Sequence, residues 1–331
     1  MNKNNVTVIH HSADFDGIFC REIARKFLPE AELIGWNFGD PPLPVPDGQI
    51  YVLDLPLDAP FGGKPGQFNL GIIMAQQENR LIWIDHHKSS IESHPAAIPG
   101  YRIDGVAACR LAWQWFSFSR HHPVHAADHL PGKRAFIDRT VSEPLAVRLA
   151  GEYDIWDKRD DRADILQFGL RSRELSDFDW GQLLSWPAQK PTIEELEGLI
   201  AVGHQNMLEP DGTFVGAILL GLLENGRILQ TYQQRNDASM MHRSFLVEWE
   251  GLKFLALTTA RCNSLTFASK DLPETGHDAL MGFYFNGKVW TVSLYHAKHR
   301  TDLDLSQIAV KFGGGGHRGA CGFTADKLPF L

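Results

Sequence analysis

His10-His11-Ser12-Ala13-Asp14-Phe15-Asp16-Gly17 follows the apolar run Val6-Thr7-Val8-Ile9 and opens a helical pattern that continues to about Phe27. A short apolar run, a polar turn and then a helical period read as a strand feeding a helix. A proline-rich connection (Pro41, Pro42, Pro44, Pro46) leads to a second strand, Ile50-Tyr51-Val52-Leu53, which ends at Asp54. A third, Leu81-Ile82-Trp83-Ile84, ends at Asp85-His86-His87. Three strands thus carry acidic or histidine residues at their carboxyl ends, where an open parallel sheet forms its ligand crevice. The expected N-terminal architecture is α/β, a parallel sheet with helices on both faces.

Helices are expected over Gly105–Phe118 and Pro144–Tyr153, the second delivering Asp154 at its end. Turn residues accumulate near Ser185-Trp186-Pro187. Thr192 and Glu195 then form a capping box ahead of Ile193, Leu196, Ile200 and Met207, and a further helical stretch covers Phe214 to Met241. Beyond it come hairpins: Phe245–Trp249 and Lys253–Leu257 around Glu250-Gly251, and Ala279–Phe285 and Lys288–Leu294 around Asn286-Gly287. A short helix, Leu305–Phe312, runs into Gly313-Gly314-Gly315-Gly316-His317-Arg318. The organisation predicted is a parallel-sheet domain over residues 1–186, a helical linker over 187–243 and a smaller α+β domain over 244–331.

Composition narrows the function classes. The 331 residues carry 32 Lys+Arg against 40 Asp+Glu, a net charge of −8, so strong duplex nucleic-acid binding is not expected. No apolar run has the length of a membrane span, and Met1-Asn2-Lys3-Asn4-Asn5 leads into a strand without a signal-peptide core. Cys20, Cys109, Cys262 and Cys321 are too scattered for a thiolate metal site or a disulfide framework. A soluble cytoplasmic protein, with a homodimer as one compatible assembly, is expected.

Asp14, Asp16, Asp54, Asp85 and Asp154, with at least three histidines, would share one crevice. Such a cluster repels itself unless some carboxylates protonate or cations intervene. Two divalent cations resolve it, and mixed carboxylate and imidazole donors suit Mn²⁺ while accepting Mg²⁺, Co²⁺ or Zn²⁺. His11 has the opposite strand parity to His10 and is expected to point to the other face. In the tail, consecutive glycines let backbone N–H groups approach a phosphate or carboxylate closely, and His317 and Arg318 add donors. A helix-ending turn capped by Gly313 is the plainer account of the same residues. Asn263 and Ser264, and more weakly Arg261, are further candidates for that cleft. His121, His122, His125 and His129 with Asp128 form a separate histidine-rich stretch, but Pro123 and Pro131-Gly132 favour an irregular surface segment there.

His10-x-x-x-Asp14-x-Asp16, Asp54, Asp85-His86-His87 and Asp154 resemble the four ordered motifs of the DHH phosphoesterase superfamily. The stretch from Phe312 to Phe323 resembles the glycine-rich signature of its DHH-associated C-terminal domain. The resemblance implies that His10 and Asp14 hold a first metal, that Asp16, His86 and Asp154 hold a second, and that Asp54 bridges them. Asp85 would orient a histidine, and His87 would contact the scissile phosphoryl group. Gly314, Gly315, Gly316, His317, Arg318, Asn263 and Ser264 would bind substrate. One departure is that Ser293-Leu294 is followed by Tyr295, where related domains often carry an arginine soon after this pair.

The activity so implied is a metal-dependent phosphodiesterase that hydrolyses short oligonucleotides by a two-metal-activated water, similar to nanoRNases. Some relatives also dephosphorylate 3′-phosphoadenosine 5′-phosphate. Alternatives with the same centre are a pyrophosphatase or polyphosphatase and a cyclic-dinucleotide phosphodiesterase. A non-catalytic nucleotide or RNA sensor is the alternative outside enzymes.

Overall fold

The computed structural model describes residues 5–63, 73, 78–94, 98–119, 129–185, 216–260 and 262–330. The chain divides into two units, Met1–Leu229 and Gln230–Leu331. The helix expected after Thr192 lies outside the described residues, as do His121, His122, His125, Asp128 and Arg261.

The N-terminal unit runs β1 (Val6–His11), α1 (Phe15–Phe27), β2 (Glu32–Trp36), β3 (Gln49–Leu53), β4 (Leu81–Asp85), α2 (Lys88–Ser93), β5 (Gly100–Arg102), α3 (Ala108–Ser119), α4 (Lys133–Ile137), α5 (Leu145–Asp154), α6 (Arg162–Leu170) and α7 (Asp177–Leu183). α8 (Ala217–Met240) follows, and the division between the units falls inside it. The strands form one parallel sheet in the order β2-β1-β3-β4-β5. This order turns back at β1/β3, so the carboxyl ends of those two strands flank the topological switch point where ligands bind in such sheets.

Alternation along each strand explains the layers. Val8, Leu53, Ile82 and Ile84 face the core built with Phe19, Ile23, Leu111 and Leu149 of the helices. Ile9, Ile50, Val52, Leu81 and Trp83 face the other side, covered by Leu55, Leu57, Phe61 and Ile98. β4 is buried along its whole length, and each such Ile or Leu contributes ~1.5–3 kcal/mol by leaving water. Gly17 is demanded by the turn into α1, because a Cβ there would sit 2.1 Å from the His11 carbonyl oxygen. Two strands of this unit are not among those expected. β2 is a half-exposed edge strand and β5 has three residues, so neither carries a readable alternation.

The C-terminal unit contains β6 (Phe245–Trp249), β7 (Leu252–Thr258), β8 (Ala279–Phe285), β9 (Trp290–His296), α9 (Ser306–Lys311), β10 (Gly315–His317) and β11 (Ala320–Ala325). Its sheet has the order β10-β11-β9-β8-β7-β6, antiparallel except between β7 and β8. Glu250 and Gly251 take φ of 51° and 75°, as a two-residue hairpin requires. The Asn286-Gly287 hairpin is longer than expected, with β9 starting at Trp290 rather than Lys288. The Asn286 side chain accepts the N–H groups of Lys288 and Val289, both at 2.9 Å, and so builds a wider turn. No described helix is long and apolar enough to cross a membrane.

Candidate metal centre

The structure gathers His11, Asp14, Asp16, Asp54, His86 and Asp154 at the carboxyl edge of the parallel sheet. Asp54 lies between two groups. Its Oδ2 is 3.6 Å from His11 Nδ1, which is 3.0 Å from Asp14 Oδ2. Its Oδ1 is 3.5 Å from His86 Nε2, which lies 3.6 Å from Asp16 Oδ2 and 3.3 Å from Asp154 Oδ2. Asp54 has φ +58°, a left-handed conformation that Asp tolerates better than most residues, and its N–H donates to the Ile84 carbonyl at 2.9 Å. The Asp54 side chain is 2% exposed, yet Oδ2 has no hydrogen-bond partner.

The local sequence explains how each group is held. Asp14 is the N-cap of α1 and accepts the Gly17 N–H at 3.0 Å. Asp16, one residue into α1, accepts the N–H groups of Ala108 and Cys109 at the start of α3, both at 2.8 Å. Two backbone donors at a helix N-terminus favour its anionic form, against burial and the nearby Asp54 and Asp154, which push its carboxyl upward. Asp154 ends α5, where the helix dipole disfavours an anion, and burial raises it to about 7. That end of α5 is tied down by Glu152, fully buried and paired to Arg139 at 2.7 Å and Arg148 at 3.3 Å.

Asp85, also fully buried, accepts the His86 N–H at 2.8 Å and pairs its Oδ1 with His87 Nδ1 at 2.7 Å. It thus orients His87, whose imidazole stays above its usual range because Asp85 outweighs burial. For His11 and His86, burial likewise opposes charge, but the carboxylates around them raise both to about 10. Asp54 is lowered to about 2 despite its burial, because the His11 and His86 imidazoles stand beside it.

The two adjacent histidines exchange the places expected for them. His10 is aligned with Leu53 of β3 and Gly35 of β2, and it is 3% exposed. Its Nδ1 meets the His11 carbonyl at 2.7 Å, and burial lowers it to about 4, leaving a neutral ring. β1 continues through His11, so the His10 side chain is still inside the sheet. His11, at the strand end, reaches Asp14 and Asp54 instead. Counting parity separated the two rings correctly but did not say where the strand stops.

The donor set fits divalent cations. His11, Asp14 and Asp54 lie within ligating reach of one another, as do Asp16, His86 and Asp154, and Asp54 with His86 and His87. Mixed carboxylate and imidazole donors suit Mn²⁺, Zn²⁺ or Mg²⁺, and an oxygen buried without a partner is what a bridging carboxylate awaiting charge presents.

In the C-terminal unit, Gly313 (φ +76°) caps α9, and the Gly314 N–H returns to the Ala309 carbonyl at 2.9 Å. A Cβ on Gly314 would lie 2.1 Å from the Gly322 carbonyl oxygen, and one on Gly316 would lie 2.7 Å from the Cys321 Cα. Gly315 alone of the four has neither a positive φ nor any atom within 4 Å of a Cβ. His317 and Arg318 are exposed, and the Arg318 guanidinium donates to the Leu303 carbonyl at 3.0 Å and to that of Asp302. Asn263 caps the 3-10 turn Ser264–Phe267 by accepting the Leu265 N–H at 2.9 Å. Asp271, His277 and His299 form another cluster: His277 meets Asp271 at 3.0 Å and His299 meets the His277 carbonyl at 2.9 Å, joining two loops. That cluster was not foreseen, because its members come from segments brought together only by the fold. His129, from the histidine-rich stretch, lies 6.4 Å from the Phe118 ring and takes part in neither cluster.

No family model matches the chain, and no curated protein matches it. Solved structures give distant likenesses. The pGpG-specific phosphodiesterase PggH from Vibrio cholerae is 13% identical, covering 98% of this chain and 94% of its own, with a TM-score of 0.45. RecJ in complex with Mn²⁺ from Thermus thermophilus is 14% identical over 98% of this chain and 50% of its own, with a TM-score of 0.46. An exopolyphosphatase-related protein from Bacteroides fragilis is 12% identical over 98% of this chain and 88% of its own, with a TM-score of 0.43. Scores below 0.5 decide neither family nor activity, which are left to the chemistry of the site.

Proposed function

We propose that the chain is a metal-dependent phosphodiesterase of the DHH type, acting on short oligonucleotides or nucleotides through two divalent cations, Mn²⁺ foremost. The observation that carries this reading is the buried Asp54 carboxylate, with one oxygen toward His11 and Asp14 and the other toward His86, Asp16 and Asp154. In this assignment His11 and Asp14 hold one cation, Asp16, His86 and Asp154 the other, and Asp54 both. Bound there, such ions acidify water and neutralise charge on phosphate oxygens.

The chain's own residues do the rest. Asp16 fixes the start of α3 to the site, and Asp54 is held by its backbone bond to Ile84. Asp85 holds His87 through Nδ1, which leaves Nε2 to donate to a phosphoryl or leaving oxygen. In the C-terminal unit, Gly315 offers backbone approach, and His317, Arg318 and Ser264 are the polar side chains assigned to substrate. Asn263 already serves as a cap, so its substrate role is confined to its remaining amide donors.

A hydrolysis panel with Mn²⁺ tests the reading. It sets an RNA dinucleotide and pentanucleotide beside pyrophosphate, 3′-phosphoadenosine 5′-phosphate and a cyclic dinucleotide. Turnover of the short RNAs, lost on chelation and restored by metal, is expected. Turnover of pyrophosphate alone overturns the substrate class, and metal binding without turnover of any substrate overturns the enzyme in favour of a sensor.

A further inference from the structure

The turn that leaves β2 reaches the site from a strand the sequence did not announce. Asn37 Oδ1 lies 3.3 Å from His11 Nε2 and accepts the Phe38 N–H at 2.8 Å. The second contact identifies the first: a backbone N–H requires an acceptor, so the atom facing His11 is the amide oxygen and not its NH₂. An acceptor at that place requires a proton on His11 Nε2. The nitrogen left to bind a cation is Nδ1, the atom that already faces Asp14 and Asp54 at 3.0 and 3.6 Å.

Asn37 is itself held on both sides. Its N–H donates to Asp40 Oδ2 at 2.8 Å, and the Asp40 N–H returns to the Asn37 carbonyl at 3.0 Å. Gly39 takes the φ of +101° that lets this turn close. Phe38, 62% exposed, sets its ring edge-on to His11 with centroids 6.0 Å apart. One face of the imidazole and one of its nitrogens are therefore committed before any cation arrives.

We propose that Asn37 is a positioning residue that fixes the tautomer and rotation of His11 so that Nδ1 serves as a metal ligand. The proposal rests on the metal-centre reading above. It adds a residue that resembles no part of the acidic motifs and touches neither a cation nor substrate. Fixing a ligand histidine through its second nitrogen tunes both its orientation and its basicity, and loss of such a partner typically weakens metal binding ~10–100-fold.

The test uses the full chain and Mn²⁺ as probe, with free Mn²⁺ counted by electron paramagnetic resonance. Asn37→Leu, which keeps side-chain size but removes the acceptor, is expected to weaken one of the two Mn²⁺ sites by ~10-fold or more. Asn37→Asp, which keeps an acceptor, is expected to bind at least as tightly as the parent. Circular dichroism at the titration temperature confirms that each variant is folded. A readout that packing alone does not move is the ¹H–¹⁵N long-range correlation spectrum of the Zn²⁺-loaded chain, with His11 assigned by its loss in His11→Gln. It should show His11 protonated at Nε2 and coordinated through Nδ1. Coordination through Nε2 in the parent, or unchanged Mn²⁺ affinity in folded Asn37→Leu, overturns the role of Asn37 and leaves the metal centre standing. Weaker Mn²⁺ binding by folded Asn37→Asp than by the parent also overturns it. A parent chain that binds no divalent cation overturns the metal centre and this proposal together.

Discussion

The acidic cluster at the sheet edge and the glycine tail are equally conspicuous in the sequence, yet packing accounts for one far better than for the other. In the tail, Gly313 caps a helix, and Gly314 and Gly316 leave room for β11, so three of four glycines are explained by the chain's own contacts. Only Gly315 has open space where its side chain would be. At the sheet edge the proportions reverse. Asp16 has two backbone donors, but Asp54, buried between the groups, keeps an oxygen with no hydrogen-bond partner, and so does Asp85 beside it, whose other oxygen holds His87. A feature that internal packing satisfies needs no ligand, whereas a buried carboxylate oxygen left without a hydrogen bond points outward.

The largest effect is expected from Asp54→Ala. Removing the carboxylate shared by both groups should lower turnover by ~10³-fold or more, on the several kcal/mol that such ions supply. Steady-state rates on an RNA dinucleotide check it, and full activity would move the chemistry elsewhere. Next comes the exchange of the two histidines. His11→Ala should weaken metal binding by ~10² or more, while His10→Gln should leave it within ~3-fold, as titration calorimetry would show. The reverse result would restore the assignment suggested by spacing.

The charges of the sheet edge also make stability depend on pH. In the metal-free protein His11 and His86 are raised to about 10, above the ~6.5 of an unfolded imidazole. Folding therefore gains from their protonation fully below pH ~6.5 and loses that gain as pH climbs toward 10. Chelated protein should melt progressively lower between pH 7 and 9, while the increment in melting temperature from saturating Mg²⁺ grows over the same interval. An increment that shrinks with pH would contradict the charge balance of the site. The smallest effects belong to the tail. Gly314→Ala should destabilise the C-terminal unit by ~1–3 kcal/mol in a denaturant titration, through its clash with the Gly322 carbonyl. Gly315→Ala should leave stability unchanged and raise KM several-fold. Equal KM effects from both would remove the special place given to Gly315.

Much of the N-terminal fold was legible because its strands are nearly continuous apolar runs that end abruptly in polar residues, as β3 does at Asp54 and β4 at Asp85. β2 was missed because a half-exposed edge strand of Glu32-Leu33-Ile34-Gly35-Trp36 lacks both alternation and a continuous buried run. Asn37 and Phe38 follow that strand and reach His11. The hairpin at Asn286 was located correctly but drawn too tight, because the side chain captures two amides that a shorter turn would pair across strands.

Which residue types stand at the strand ends is readable along the chain: carboxylates and imidazoles where a parallel sheet opens, and glycines where a helix must stop. Those follow from chemistry local to a few residues, namely hydrophobic runs, capping and turn preferences. Which of two adjacent histidines reaches Asp54 depends on packing, because it follows from how far β1 remains paired with both neighbours. Packing also singles out Gly315 among the four glycines, because a steric requirement exists only once β11 lies against the tail. Parity and propensity are properties of the chain, whereas burial, reach and an unpartnered oxygen are properties of what packs around it.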